Sequence, residues 1–133
     1  MILVDSGIWI DYFNGVRSAE TDRLNDLLGR RAVAVGDLML TEVLQGFASD
    51  RDFRQALRLM SLPMQIPIVD REVAIAAAGN YRALRARGIT VRKTIDTLIA
   101  TRCILDGHVL LYADRDFDPF VEHLGLRSAM RED

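Results

Sequence analysis

Short apolar runs alternate along this chain with segments whose hydrophobic positions recur every three or four residues. Ile2-Leu3-Val4 is an unbroken apolar run of the length a buried parallel strand needs. Directly after it, Ile8, Trp9, Tyr12 and Phe13 mark one face of a helix, with Ser6 placed to cap it. These aromatics at helical spacing are assigned to the core or to a dimer interface. Leu24, Leu27 and Leu28 give a second helical stripe between Ser18 and Arg31, and residues 32–35 are again strand-like. Asp37 is placed to cap a helix running to about Phe47. Residues 50–62 predict an amphipathic helix with its stripe through Phe53, Leu57 and Met60, and residues 65–69 a strand that Pro67 puts near an edge. Asp70 caps a long helix carrying Val73, Ala76, Ala77, Tyr81 and Leu84, which Gly88 ends. Thr94 caps another, through Ile95, Leu98, Ile99 and Cys103 to a stop at Gly107. Residues 109–112 are the clearest strand, followed by a polar turn over 113–119, a short helix to His123 and a last strand near Leu126. Strands alternating with helices predict an α/β fold, with helices on both faces of a parallel sheet, in a single domain spanning residues 1–133.

Charge and composition narrow the setting. With 17 basic and 19 acidic residues the formal net charge is −2, which at first sight counts against a protein that holds nucleic acid. Sixteen of the bases are arginine and one is Lys93. A lone cysteine, Cys103, makes no internal disulfide, so a reducing, cytoplasmic setting is expected. The N-terminal segment reaches a charge after four residues, unlike a signal peptide, and no apolar run approaches the ~20 residues of a membrane span.

In open parallel sheets, chemistry gathers beyond the carboxyl ends of the strands. Here those places hold aspartate: Asp5 ends the first strand, and Asp114 and Asp116 follow the strand at 109–112. Each alone has an ordinary explanation in helix or turn capping. Glu42 is harder to dismiss, because Leu38, Met39 and Gly46 place it on a stripe otherwise apolar or small. Asp96 lies in the first turn of its helix at the border of a buried face, where an acid also suits the helix dipole. Together, such carboxylates share a cleft only with positive charge between them. Oxygen ligands without clustered His or Cys select Mg²⁺ or Mn²⁺, and His108 and His123 are read as surface or turn residues. Neither a P-loop, nor Gly-x-Gly-x-x-Gly, nor Gly-x-Ser-x-Gly is present.

Four segments carry a resemblance across the whole chain: residues 4–13 (VDSGIWIDYF), 41–46 (TEVLQG), 94–100 (TIDTLIA) and 113–118 (ADRDFD). In that order they resemble the PIN-domain ribonucleases, and among them the VapC toxins of type II toxin–antitoxin modules. The resemblance implies a three-layer α/β/α fold with a central, mainly parallel sheet. It implies that Asp5, Glu42, Asp96 and Asp114 hold Mg²⁺ or Mn²⁺, with Asp116 a fifth ligand or an acid just behind. Ser6 takes the place of the family's hydroxyl residue, orienting a water or a phosphate oxygen; Gly7 departs from relatives with a second small polar residue. The implied activity is metal-dependent endoribonuclease cleavage of structured RNA, tRNA or rRNA, which inhibits translation. A VapB-type antitoxin is the implied neutralising partner, with a homodimer that forms a heterotetramer or larger assembly.

Arg82, Arg85, Arg87, Arg92 and Lys93 form a stretch without acids, which serves equally as a solvated helix end or as an RNA cradle. Two further classes stand beside the nuclease: a receiver- or phosphatase-like phosphoryl-transfer domain, and a non-catalytic antitoxin-binding relative. Setting the five proposed site acids aside leaves 14 acids against 17 bases, so the net charge does not count against RNA.

Overall fold

The computed structural model describes residues 1–131; Glu132 and Asp133, the last two positions of the domain read from the sequence, lie outside the described residues. Five strands form one sheet: β1 (Ile2–Val4), β2 (Val33–Gly36), β3 (Met64–Ile66), β4 (Val109–Leu111) and β5 (Arg127–Ser128). Their order is β3-β2-β1-β4-β5, and every pairing is parallel. Seven helices connect them: α1 (Ser6–Phe13), α2 (Ala19–Gly29), α3 (Asp37–Leu44), α4 (Asp50–Met60), α5 (Arg71–Ala86), α6 (Thr94–Asp106) and α7 (Asp118–Leu124). None of these helices is long and apolar enough to cross a membrane.

Parallel pairing explains the apolar runs, because the central strands are covered on both faces. Ile2 lies opposite Val33 and Val109, and Leu3 opposite Ala34 and Leu110. Alternation then sends Leu3, Ala34 and Leu110 to one face, with Leu84, Ile99, Ala100, Cys103, Phe117 and Phe120. Val4, Val33, Val35 and Leu111 meet Ile8, Trp9, Leu24, Leu27, Val43 and Met60 on the other. Burying each Val, Leu, Ile, Phe or Met among them contributes about 1.5–3 kcal/mol. Pro67 stands just past β3, which is indeed an edge strand.

Local capping differs from the sequence expectation at three helices. Ser6, Asp37 and Thr94 are each the first helical residue rather than the cap; Asp5, Gly36 and Lys93 hold the cap positions. The Asp37 carboxylate instead accepts from the Leu38 N–H at 2.8 Å and from the Ile68 N–H at 3.0 Å, tying α3 to the segment after β3. Asp70 caps α5 as expected, accepting from Val73 N–H at 2.9 Å. The α4 stripe is also displaced: Ala56 and Met60 are buried, whereas Phe53 and Leu57 remain exposed.

Gly36 is required where β2 turns into α3, since a Cβ there would meet Ile68 and the Met39 sulfur at 2.7 Å. Arg31 shows the opposite case. After α2, Ala32 N–H bonds to Leu27 O at 3.1 Å and Arg31 N–H to Leu28 O at 3.2 Å, a paired closure that puts Arg31 at φ 55°. Glycine ordinarily fills that place, and a side chain there costs about 1–2 kcal/mol. Arg31→Gly is therefore expected to raise unfolding stability by roughly 0.5–1 kcal/mol after glycine's entropy loss. A higher urea midpoint at unchanged slope is the outcome to look for; an unchanged or lower midpoint would refute the account of this turn.

Candidate metal centre

The strand order determines where the acids meet. Asp5 leaves the end of β1, and its N–H bonds to Leu111 O at 2.9 Å, locking it beside the end of β4. Two residues beyond Tyr112 the chain reaches Asp114. Glu42 comes from α3, the helix that follows β2, and Asp96 from the first turn of α6. Asp5, Glu42, Asp96 and Asp114 all line one cleft of about 310 Å³ beyond the carboxyl ends of the strands, together with Ser6, Gly7, Ile8, Ile10, Asp11, Lys93 and Ala113. Asp116 does not line that cleft, yet one oxygen from each of Asp96, Asp114 and Asp116 lies within 4.8 Å of the others. A larger apolar groove of about 740 Å³ opens at the opposite strand ends, among Met1, Leu28, Val33, Leu59, Leu62 and Met64. Among the described residues no carboxylate lines it.

Electrostatics in the acidic cleft run against ionisation. Burial first, then the Asp96 charge, pushes the Asp5 carboxyl up to about 7, with Glu42 and Asp114 adding to the rise and the Ser6 N–H opposing it. Burial likewise raises Asp96 to about 6; Lys93 pulls it down while Asp114, Asp116 and Glu42 push it up. Asp96 is only 6% exposed, and its Oδ2 is buried without a hydrogen-bond partner. Leaving such an oxygen unpaired costs about 1–3 kcal/mol or more. An all-oxygen donor set of like charges around an orphaned carboxylate oxygen fits a hard divalent cation, so these residues suit the metal.

Other site residues fall into two groups. Asp114 shares its oxygens: Oδ1 accepts from the Asp116 N–H at 2.9 Å, capping the turn Arg115–Phe117, and Oδ2 faces Lys93 Nζ at 3.6 Å. The ordinary capping reading and the site reading thus both apply to it. Arg92 pairs with Asp116 at 3.2 Å. Arg82, Arg85 and Arg87 are exposed near the end of α5 and do not line the cleft, so the basic stretch divides. Arg85 lies 5.6 Å from the Tyr81 ring centre. Gly7 leaves room for a side chain, since a Cβ there would stand 3.8 Å from Asp5 Oδ2. Sequence reasoning missed Asp11 and Ile10 on the cleft wall; their signal is the spacing from Gly7, one helical turn earlier on α1.

A family model for the PIN domain matches residues 2–121 of this chain. The VapC ribonuclease Mb1587 of Mycobacterium bovis is 33% identical over 131 residues, covering 97% of this chain and 98% of that protein. Ribonuclease VapC11 of Mycobacterium tuberculosis matches with the same identity and coverage. Among solved structures, VapBC2 from Rickettsia felis bound to a promoter DNA fragment superposes with a TM-score of 0.73, covering 96% of this chain and 97% of that one. At 19% identity that likeness concerns the fold.

Raised carboxyls give stability a definite pH slope. Between about 4 and 7 the folded chain binds more protons at Asp5 and Asp96 than the unfolded chain does, so their contribution is greatest at low pH and is lost as pH rises through 6 and 7. In chelator, the melting temperature of the wild-type chain is expected to fall from pH 5 to pH 8 by more than that of Asp5→Asn. The difference should reach several degrees, at roughly 4 °C per kcal/mol for a domain of this size. Parallel curves for the two proteins would show that Asp5 carries no such strain.

Proposed function

The chain belongs to the PIN-domain family, in its VapC branch, and from that premise we propose that it is a Mg²⁺- or Mn²⁺-dependent endoribonuclease, the toxin of a toxin–antitoxin pair. The observation that carries this reading is the convergence of four carboxylates from separate elements on one cleft, with a buried Asp96 oxygen left unpartnered. Its substrate is structured RNA, tRNA or rRNA, cut where the strand is unpaired, and the result is inhibited translation.

Asp5, Glu42, Asp96 and Asp114 would hold the metal, with Asp116 reinforcing Asp96 and Asp114 from behind. When bound, the cation supplies charge for the phosphate and acidifies a water. The chain's own residues do the rest. Asp96 or Asp114 accepts the proton of the attacking water, and Ser6, at the start of α1, orients that water or a phosphate oxygen. Arg92 and Lys93 hold the RNA backbone beside the acids, and Arg82, Arg85 and Arg87 extend the contact along α5.

The neutralising partner is a VapB-type antitoxin. A segment carrying both apolar and basic side chains would match a cleft wall that sets Ile8 and Ile10 beside the carboxylates. Two chains pair as a homodimer and join the antitoxin in a heterotetramer or larger assembly. Exposed Phe53 and Leu57 on α4 offer apolar surface for such contacts.

Asp96→Asn tests the activity directly. It should leave the far-ultraviolet dichroism unchanged, slow cleavage of cellular RNA by roughly 10²–10³-fold or more, and relieve growth arrest on expression. Cleavage by the purified variant at the wild-type rate would place the chemistry elsewhere.

A further inference from the structure

Resting on that reading, the structure assigns a second task to Lys93 and Arg92: we propose that they are the cleft's own counter-ions, competing with the divalent cation for Asp114 and Asp116 and turning to a phosphodiester oxygen when displaced. Lys93 Nζ lies 3.6 Å from Asp114 Oδ2, and Arg92 reaches Asp116 Oδ1 at 3.2 Å and Oδ2 at 3.5 Å. Among the described residues lining the cleft, Lys93 alone is basic. Both cations are well exposed, 58% for Lys93 and 79% for Arg92, while their partner acids are the more enclosed members. Exposed pairs of this kind exchange readily, because solvent screening leaves them weak.

Local helix physics does not explain these residues. Lys93 occupies the cap position of α6 and makes no capping hydrogen bond. Serine, threonine, aspartate or asparagine would stabilise that helix end, and a positive charge opposes its dipole. The chain nevertheless puts its one lysine there, next to an arginine, in a protein whose other sixteen bases are arginine. A side chain set against its own helix and aimed at a carboxylate fits a role in the cleft. Lysine suits exchange better than arginine does: its ammonium is a compact point charge on a flexible stem, without a planar fork to grip the carboxylate in two places.

Two consequences separate this role from a structural ion pair. Removing the Lys93 charge frees Asp114 for the metal, so metal binding tightens; the same change removes a phosphate contact, so cleavage slows. A residue that merely braced the site would weaken both. Mn²⁺ titrated calorimetrically into the full-length chain and its Lys93→Met variant reads the first effect, and cleavage of total cellular RNA at saturating Mn²⁺ reads the second. Lys93→Met is expected to bind Mn²⁺ about 2- to 5-fold tighter and to cleave roughly tenfold or more slowly. Lys93→Arg, which keeps the charge, should bind Mn²⁺ no more tightly than the wild type does. Equal or weaker Mn²⁺ binding by Lys93→Met, or cleavage at the wild-type rate, overturns the proposal while leaving the nuclease reading in place. A wild-type chain that neither binds Mn²⁺ nor cuts RNA overturns both.

Discussion

Mutual repulsion among carboxylates held in one cleft is the constraint around which this molecule is organised. Asp5 is pushed upward by burial and by the Asp96 charge, and Asp96 by burial and by Asp114, Asp116 and Glu42. Acids left to themselves would turn outward to water. Here the backbone does not allow it: Asp5 is fixed between the ends of β1 and β4 by its bond to Leu111, and Asp96 stands on a helix whose inner face is core. The fold therefore concentrates negative charge that calls for cations: Lys93 and Arg92 stand against it, and the proposed metal answers the same charge.

Rigidity for this arrangement comes from the sheet. β1 is central, paired on both sides, and the clusters covering its two faces hold Leu3 and Val4 at almost no exposure. The acids stand on the ends of elements that cannot move without exposing this core. Close packing extends to α3, where Gly36 lets Ile68 and Met39 approach the backbone and Asp37 ties the helix to Ile68. Glu42 is thus positioned by contacts at the other end of its helix. Arg92 and Lys93 follow the opposite principle: both are exposed and held by surface ion pairs alone.

Much of this was legible from the chain alone. Unbroken apolar runs at 2–4 and 109–111 are strands because a parallel sheet buries both faces, and the rule that chemistry lies past strand ends leads straight to Asp5 and Asp114. Glu42 was legible because it interrupts an apolar stripe. Other features depend on contacts that pattern does not encode. Ser6, Asp37 and Thr94 are good caps by residue type, but each helix starts one residue earlier than a cap would need, because the strand or loop before it ends differently. Phe53 and Leu57 have core spacing, yet α4 meets the body of the fold through Ala56 and Met60. The basic stretch reads as one patch along the chain and separates in space, since the turn after α5 carries Arg92 and Lys93 to the acids and leaves Arg82, Arg85 and Arg87 behind.

The central claim, that these carboxylates form one metal centre, is tested most directly by anomalous diffraction from crystals of the chain soaked in Mn²⁺. The account predicts an anomalous peak within coordination distance of carboxylate oxygens from Asp5, Glu42, Asp96 and Asp114. No peak in that cleft at a saturating Mn²⁺ concentration, or a peak only at other acidic residues, would contradict it.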